Sequence, residues 1–288
     1  MRGNPDSMTL LRPKDAAEAV RLFAKSPQAL PLAGGTDLMV LWNAGLLNRR
    51  TVLDLSRLRE WTKISRKPGS LLLGSLVTHA TLRDHPFVKT RFPLLSAACA
   101  EIGGVAIQNR GTIGGNLGNA SPAGDTFPAL AVYEAHLHLI GPDGRRLVPL
   151  LDFFAGVKKT TIGPAELIEA VELPDLRKRP ARQFFRKVGT RAASALSKTV
   201  AAGLLWLDGG GRVEELRFAL GSMATTVRRL KAAEQYVWGK PLDAATVDQA
   251  CALLAEDVSP IDDVRSTAAY RLRVSQNMLR AFLTGRTQ

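Results

Sequence analysis

Apolar and polar residues along the first hundred positions follow two different periods. Short apolar runs bounded by turn residues predict β-strands at residues 29–33, 51–55 and 71–74. Apolar residues at helical spacing predict helices at residues 13–22, 38–42, 80–84 and 94–102. The glycine pair at 103–104 fits the end of the last helix. The pattern therefore predicts a mixed α and β structure for this part of the chain.

The second half of the chain is patterned more regularly. Two β-hairpins are predicted, over residues 135–150 and 201–220. Between them, the charged and proline-containing run at 176–182 predicts a domain boundary. Residues 225–283 are predicted to be mainly helical, with a break at residues 239–241.

Residues 107–125 interrupt this regular pattern. The segment IQNRGTIGGNLGNASPAGD contains six Gly and Pro residues and almost no large apolar side chains, so we predict a loop. A long polar loop between well-formed elements is uncommon unless it is functional. The segment is therefore a candidate site.

Two segments place paired glycines beside Thr, Asn or Asp, at residues 32–38 and 111–125. Paired glycines allow backbone N–H groups to approach an anion, and a helix start adds the positive end of its dipole. Thr36 or Asp37 can cap the helix after the first pair, with free N–H groups facing the turn. Each motif alone is more typical of a tight turn, but the two together predict a ligand with extended phosphates. Rossmann and P-loop fingerprints are absent from the sequence.

The formal net charge of +13 makes nucleic-acid binding a hypothesis. The basic residues are scattered, however, and aromatic residues make up only 6% of the chain, so a stacking platform for bases is not indicated. An acidic protein partner or an anionic cofactor explains the charge equally well.

Metal-ligand spacings are missing from the sequence. Cys99 and Cys251 are far apart and lie in alanine-rich apolar segments, where buried and inert thiols are expected. His136 and His138 would share one face of a strand, which we interpret as a solvated face and not as a metal pair. We expect no metal site in this chain, and any metal chemistry must therefore lie on a partner.

The chain has no apolar run of the roughly 20 residues that cross a bilayer, and its start does not follow the pattern of a secretory signal. We therefore expect a cytoplasmic protein without a membrane span.

A set of motifs, in order and at consistent spacing, resembles the FAD-binding medium subunit of molybdenum hydroxylases of the xanthine dehydrogenase and carbon monoxide dehydrogenase type. These motifs are LAGGTDL at 32–38, VLDLSRL at 52–58, GSLVTHATL at 74–82, IQNRGTIGGNLGNASPAGDTFPAL at 107–130, FRKVGTR at 185–191, ALGSMA at 219–224 and STAAYRLRV at 266–274. The resemblance covers nearly the whole chain. Members often carry Asp-Ile-Ala after the Lys-x-x-x-Arg motif, where this chain has Ala195 to Lys198.

The resemblance implies an α+β fold. A two-subdomain FAD-binding fold of the vanillyl-alcohol-oxidase (PCMH) type would be followed by a C-terminal domain of sheet and helices. The implied divisions are residues 1–60 and 61–176 for the two FAD-binding subdomains, and residues 177–288 for the C-terminal domain.

The resemblance also implies the residues that hold FAD. The pyrophosphate would be lined by Leu32, Ala33, Gly34, Gly35, Thr36 and Asp37. A second clamp would be formed by Thr112, Ile113, Gly114, Gly115 and Asn116. Ile102 and Ile168 would pack on the cofactor, Asp125 would hold polar atoms at its ribityl or flavin end, and Lys187 would reach its polar edge.

By the same resemblance, the chain is an oxidoreductase subunit that relays electrons and needs no catalytic residue of its own. A large subunit would carry the molybdenum cofactor and a small subunit two [2Fe-2S] clusters, and the electrons would pass to NAD or another acceptor. Two alternatives from other classes stay open on the residues: a basic scaffold or nucleic-acid-binding protein, and a stand-alone flavoprotein oxidase.

Overall fold

A small parallel sheet begins the fold. The computed structural model describes residues 3–191 and 193–286, and its first sheet has the strand order β1-β3-β2. Its elements are β1 (Thr9–Leu11), α1 (Ala16–Lys25), β2 (Leu30–Leu32), α2 (Leu38–Asn43) and β3 (Thr51–Asp54). The Asp15 side chain accepts a hydrogen bond from the Glu18 backbone N–H and caps α1, which buries Ala19 and Phe23. A 3₁₀ turn at Arg59–Thr62 then leads to the second sheet.

The second sheet is antiparallel and has the order β4-β5-β10-β6-β7. Its strands are β4 (Ile64–Lys67), β5 (Ser70–Gly74), β6 (His136–Gly141), β7 (Gly144–Pro149) and β10 (Leu167–Pro174). The chain between β5 and β6 forms α3 (His79–Asp84), α4 (Pro86–Arg91), α5 (Pro93–Glu101), α6 (Val105–Arg110), α7 (Ile113–Asn119) and α8 (Phe127–Val132). After β7 come α9 (Leu150–Phe153) and a small ribbon of β8 (Phe154–Gly156) and β9 (Lys159–Thr160).

A third sheet with helices on it ends the chain. Its strands lie in the order of the sequence: β11 (Arg182–Val188), β12 (Thr199–Leu207), β13 (Val213–Gly221) and β14 (Arg228–Arg229). The helices that follow are α10 (Lys231–Val237), α11 (Ala244–Asp257) and α12 (Ala268–Thr284). Phe184, Phe218 and Phe282 join the sheet to α12, with ring centroids 5.6–6.1 Å apart.

Helix α8 connects the second and third sheets. All six of its residues are buried. The hydrophobic core in which it lies also includes Ala202, Leu204 and Trp206 of β12. Two guanidinium groups of the third sheet bind carbonyl groups of α8: Arg217 donates to Val132 O at 3.2 Å, and Arg229 to Ala131 O at 3.3 Å. These carbonyls lie at the end of a helix, where cations are favourable. The helix therefore packs against both parts of the chain.

The pattern-based prediction of strands and helices is confirmed outside residues 107–125, including both hairpins and the helical C-terminal region. The loop predicted at 107–125 is wrong, because the segment contains most of α6 and all of α7. His136 and His138 of β6 are both partly exposed, and the Nε2 of His138 lies 2.6 Å from Glu172 Oε2 of β10. Both thiols, Cys99 and Cys251, are buried as expected.

Within the described ranges, no helix is long and apolar enough to cross a membrane. In the same ranges, His, Cys, Asp and Glu residues form no cluster of three or more that could hold a metal ion.

Candidate functional site

The first glycine motif forms the turn between β2 and α2. Gly35 has a φ of +77°, a conformation that glycine adopts without strain. The backbone N–H groups of Gly34 to Asp37 donate to no acceptor in residues 3–191 and 193–286. Asp37 precedes α2 as predicted, but neither its side chain nor that of Thr36 caps the helix. A row of free donors at the start of a helix is a site for an anion.

The second glycine motif forms helix α7. Thr112 caps this helix, because its Oγ1 accepts a hydrogen bond from the Gly115 N–H at 3.1 Å. The Ile113 N–H donates to Val77 O and the Gly114 N–H to Ser75 O. The first N–H groups of α7 are therefore already paired. The expectation of free N–H groups is wrong for this motif.

Close packing explains the paired glycines of α7. A Cβ added to Gly114 would lie 2.5 Å from the Ser75 Cβ, which real Cβ atoms essentially never do. A Cβ added to Gly115 would lie 3.7 Å from the Ala33 Cβ, on the side that faces the first motif. Gly114 thus serves packing, whereas Gly115 keeps the space beside the first motif free of a side chain.

The fold brings the two glycine motifs together. A Cβ on Gly34 would lie only 1.8 Å from Arg110 O, so the first loop crosses the backbone at the end of α6. The Asn119 Nδ2 lies 3.4 Å from Asp37 Oδ1, which adds a weak polar contact between the motifs. Residues about 80 positions apart therefore border one site. The first motif contributes backbone N–H donors, and the second contributes a helix surface without a side chain at Gly115.

Asp125, Lys187 and Ser197 form a buried polar cluster that joins the end of the second glycine motif to the C-terminal part of the chain. Lys187 of β11 donates to Asp125 Oδ2 at 2.7 Å and to Glu101 O at 2.7 Å. Ser197 donates to the other oxygen, Asp125 Oδ1. The side chains of Lys187 and Asp125 are only 5% and 11% exposed, so both charges of this pair are buried. Burial raises the pKa of Asp125, and the hydrogen bonds and charge of its partners oppose this rise.

The remaining predicted residues take different positions. Ile102 follows α5, next to the Glu101 carbonyl that binds Lys187. Ile168 lies in β10, and its Cδ1 would be 3.8 Å from a Cβ on Gly118 of α7. Asn116 accepts a hydrogen bond from Thr126 Oγ1 at 2.6 Å. The Ile113 side chain is completely buried in the core and faces no open space.

Several residues that position the site were not identified from the sequence. Ser75 and Arg110 contribute backbone atoms against Gly114 and Gly34, and Gln108 donates to Ala100 O and Ile102 O across the turn before α6. Ser197 was noticed only as part of a departure from the family pattern. Ser75, Gln108 and Arg110 lie within motifs of the resemblance, but no local signal predicts their roles, because each acts through a contact made by the fold.

Thr190 and Arg191 belong to the same motif as Lys187. The Arg191 guanidinium donates to Ala193 O and Ser194 O, and the Ser194 N–H donates to Gly103 O at 3.1 Å. Arg191 therefore braces the loop before β12 against the turn that follows Ile102.

Comparison with known proteins identifies the family. Residues 6–176 match the family model described as the FAD binding domain in molybdopterin dehydrogenase, and residues 183–285 match the CO dehydrogenase flavoprotein C-terminal domain. The chain is 32% identical to a putative xanthine dehydrogenase FAD-binding subunit of Escherichia coli over 93% of this chain and 92% of that protein. It is 29% identical to the carbon monoxide dehydrogenase medium chain of Afipia carboxidovorans, over 96% and 95% of the two chains.

A solved structure agrees with these matches. A chain of carbon monoxide dehydrogenase from Hydrogenophaga pseudoflava superposes with a TM-score of 0.90 at 28% identity, covering 98% of this chain and 97% of the other. This confirms the predicted α+β architecture of an FAD-binding region followed by a C-terminal domain. The chain belongs to the family of FAD-binding medium subunits of molybdenum hydroxylases, and is an oxidoreductase subunit.

Proposed function

We propose that this chain is the electron-transfer subunit of its complex, with FAD held where the two glycine motifs meet. The observation that carries the proposal is that the N–H groups of Gly34 to Asp37 have no acceptor among the described residues, in a loop whose Ala33 lies beside Gly115. An FAD pyrophosphate carries two negative charges that need such donors once water is removed.

The described residues fit this cofactor. We assign the pyrophosphate to Leu32, Ala33, Gly34, Gly35, Thr36 and Asp37, and the opposing wall to Thr112, Ile113, Gly114, Gly115 and Asn116. Ile113 and Gly114 would act through the position of α7 and not through contact, since both are buried. Ile102 and Ile168 supply apolar surface, and Asp125 and Lys187 supply polar groups at the other end. When bound, FAD supplies a group that accepts single electrons and releases an electron pair.

The protein residues then have three tasks. The loop at 34–37 binds the anionic part of the cofactor, and its unpaired donors need no rearrangement to do so. The glycines of α7 let the cofactor approach the backbone closely. The Lys187 ammonium is nearly neutralised by Asp125, so the pair adds a fixed dipole and not a free charge to the site.

We further propose the partners of the chain. Electrons would come from two [2Fe-2S] clusters on a small subunit, after oxidation of the substrate at the molybdenum cofactor of a large subunit, and would leave to NAD or another acceptor. Exposed apolar side chains on α2 support contact with another subunit, since Met39, Val40 and Leu41 are 38–66% exposed.

We propose the domain limits 1–60, 61–176 and 177–288. The parallel sheet lies within residues 9–54, the antiparallel sheet within 64–174 and the last sheet within 182–229, which supports this division.

The visible absorbance spectrum of the purified chain tests the proposal. Flavin bands with stoichiometric FAD are expected for the chain alone, and iron–sulfur absorbance is expected only in the co-expressed complex. A protein that stays colourless after incubation with FAD would refute FAD binding and favour the basic-scaffold alternative.

The same preparation separates the relay from a stand-alone oxidase. The isolated flavoprotein should not oxidise an organic substrate with oxygen as the electron acceptor at a rate comparable to the complex, whereas an oxidase would be fully active alone. Full activity of the isolated chain with an organic substrate would contradict the relay.

A further inference from the structure

The polar cluster around Asp125 joins two separate parts of the chain. Asp125 lies in the matched FAD-binding domain, whereas Lys187 and Ser197 lie in the matched C-terminal domain. Lys187 holds Oδ2 of the carboxylate and Ser197 holds Oδ1. The cluster therefore fixes the carboxylate from both sides only when the two domains are packed together.

Ser197 has a specific role in this cluster. Its side chain is completely buried, and its hydroxyl is the one donor to Asp125 Oδ1 among residues 3–191 and 193–286. Without the hydroxyl, Oδ1 would be a buried acceptor without a partner, and the carboxylate would be held at Oδ2 alone, by Lys187.

The backbone around Ser197 is itself held in place. Arg271 of α12 is 2% exposed and donates to Lys198 O at 2.5 Å and to Ser222 O at 3.1 Å. Its other terminal nitrogen donates to Asp263 Oδ1 at 2.6 Å. A buried guanidinium that binds two carbonyls and a carboxylate leaves the neighbouring serine little freedom.

We propose that Ser197 is a positioning residue for the flavin end of the site: it fixes the Asp125 carboxylate so that the carboxylate neutralises Lys187 and sets the balance between reduced and oxidised FAD. The inference rests on the proposed function. Ser197 also lies in the segment Ala195 to Lys198, where this chain departs from the Asp-Ile-Ala stretch of many family members.

The direction of the effect follows from charge. A reduced flavin is more electron-rich than an oxidised one, and a nearby positive charge favours it. When the carboxylate is no longer fixed, Lys187 is compensated less well. The loss of the Ser197 hydroxyl should therefore raise the midpoint potential of the bound FAD.

The test compares Ser197→Ala with Ser197→Thr and with a matched control. Ser275→Ala also removes a buried hydroxyl, one that lies 3.0 Å from Thr199 Oγ1 inside the C-terminal domain. The midpoint potential of bound FAD is measured by reductive titration against a redox dye, on the full-length chain with its FAD. We expect Ser197→Ala to favour reduced over oxidised FAD about tenfold, which is about +30 mV for a two-electron couple. Ser197→Thr and Ser275→Ala should match the wild type.

Each outcome decides between the proposals. If Ser197→Ala retains FAD and its midpoint potential is equal to or below that of the wild type, the inference is overturned. The proposed function then stays intact. A wild-type chain that binds no FAD overturns the proposed function instead. If Ser197→Ala does not fold, Ser197→Cys keeps a side chain of similar size with a weak donor, and a smaller rise in potential is expected.

Discussion

Gly34 lies at the point where the first glycine loop crosses the end of α6. Because a Cβ there would lie 1.8 Å from Arg110 O, Gly34→Ala must push the loop or α6 aside. We expect a loss of stability of about 1–3 kcal/mol, as for other overpacked positions. FAD binding should weaken at least about tenfold, because a displacement of about 1 Å disturbs several hydrogen bonds at once. Chemical denaturation and the FAD content after purification measure the two effects.

Gly209 offers a matched control for this substitution. A Cβ at Gly209 would meet no heavy atom within 4 Å, so Gly209→Ala should leave both stability and FAD content unchanged. If Gly34→Ala retained full FAD, the assignment of this loop to the pyrophosphate would be refuted.

His79 gives the folded chain a dependence on pH. The residue is 2% exposed, and its burial lowers its pKa from 6.5 to about 4. Between these values the unfolded chain binds a proton that the folded chain does not, so the stability contributed by neutral His79 is fully present above pH 6.5 and is lost as the pH falls toward about 4. At about 1.4 kcal/mol per pKa unit, the loss reaches about 3 kcal/mol.

Urea unfolding of the wild type and of His79→Gln, at several pH values in this range, measures the contribution. The wild type should lose more stability on acidification than His79→Gln. His136→Gln on the half-buried strand β6 serves as a control that retains the wild-type dependence. Parallel curves for the wild type and His79→Gln would contradict the assignment.

Single residues of the site differ in how far the sequence could predict them. Gly34 and Gly35 stand out because a second paired-glycine motif accompanies theirs, and Asp125 and Lys187 are named by the family resemblance. Ser197 could not be assigned a role, since its partner is 72 positions away and nothing local links a serine to that carboxylate.

Helix α7 is the element on which the second half of the site depends. Thr112→Ala removes the cap that accepts from the Gly115 N–H, which should cost about 1 kcal/mol of stability. Because this cap sets the position of Gly115 beside Ala33, we also expect weaker FAD binding. Thermal unfolding and FAD titration of the apoprotein check both effects.

Thr267→Ala is the corresponding control. Thr267 caps α12 through the Tyr270 N–H at 3.2 Å, far along the chain from the glycine motifs. The control should lose a similar amount of stability and keep its FAD affinity. Equal FAD affinities for both variants would contradict a role of α7 in binding.

The α6 and α7 helices also show where prediction of elements failed. Three glycines in seven residues, at Gly114, Gly115 and Gly118, disfavour a helix by local propensity. The helix forms because Thr112 caps it and because Ser75 and Val77 accept its first N–H groups. These partners come from a strand end almost 40 residues earlier, so tertiary contacts override the local preference.

At the scale of the whole molecule, one of the hydrophobic clusters contains residues of both domains. Helix α8 packs with Ala202, Leu204 and Trp206 of β12, whereas Trp61 belongs to the core of the first sheet. We therefore expect cooperative unfolding of the FAD-binding and C-terminal domains. Unfolding curves from tryptophan fluorescence and from far-ultraviolet circular dichroism should coincide. Separate transitions would show that the shared core contributes little to stability.

The elements were predictable from local hydrophobic periods, and the architecture from the family motifs. The two hairpins and the C-terminal helices follow hydrophobic periods that survive in any context. The pairing of β10 between β5 and β6 was not predictable, since β5 lies about 100 residues and β6 about 30 residues earlier in the chain. The α+β class came from the family motifs and not from the periods alone.

The division of the Asp125 cluster between two domains bears on how the protein is made. A ribosome releases the first glycine loop and α7 long before it releases Lys187, Ser197 and the α12 residue Arg271, which binds the carbonyl of Lys198. A chain still in synthesis thus has the donors for a pyrophosphate but lacks the groups that enclose the flavin end. Stable loading with cofactor should therefore wait until translation ends, so that incomplete chains emerge without a redox-active group.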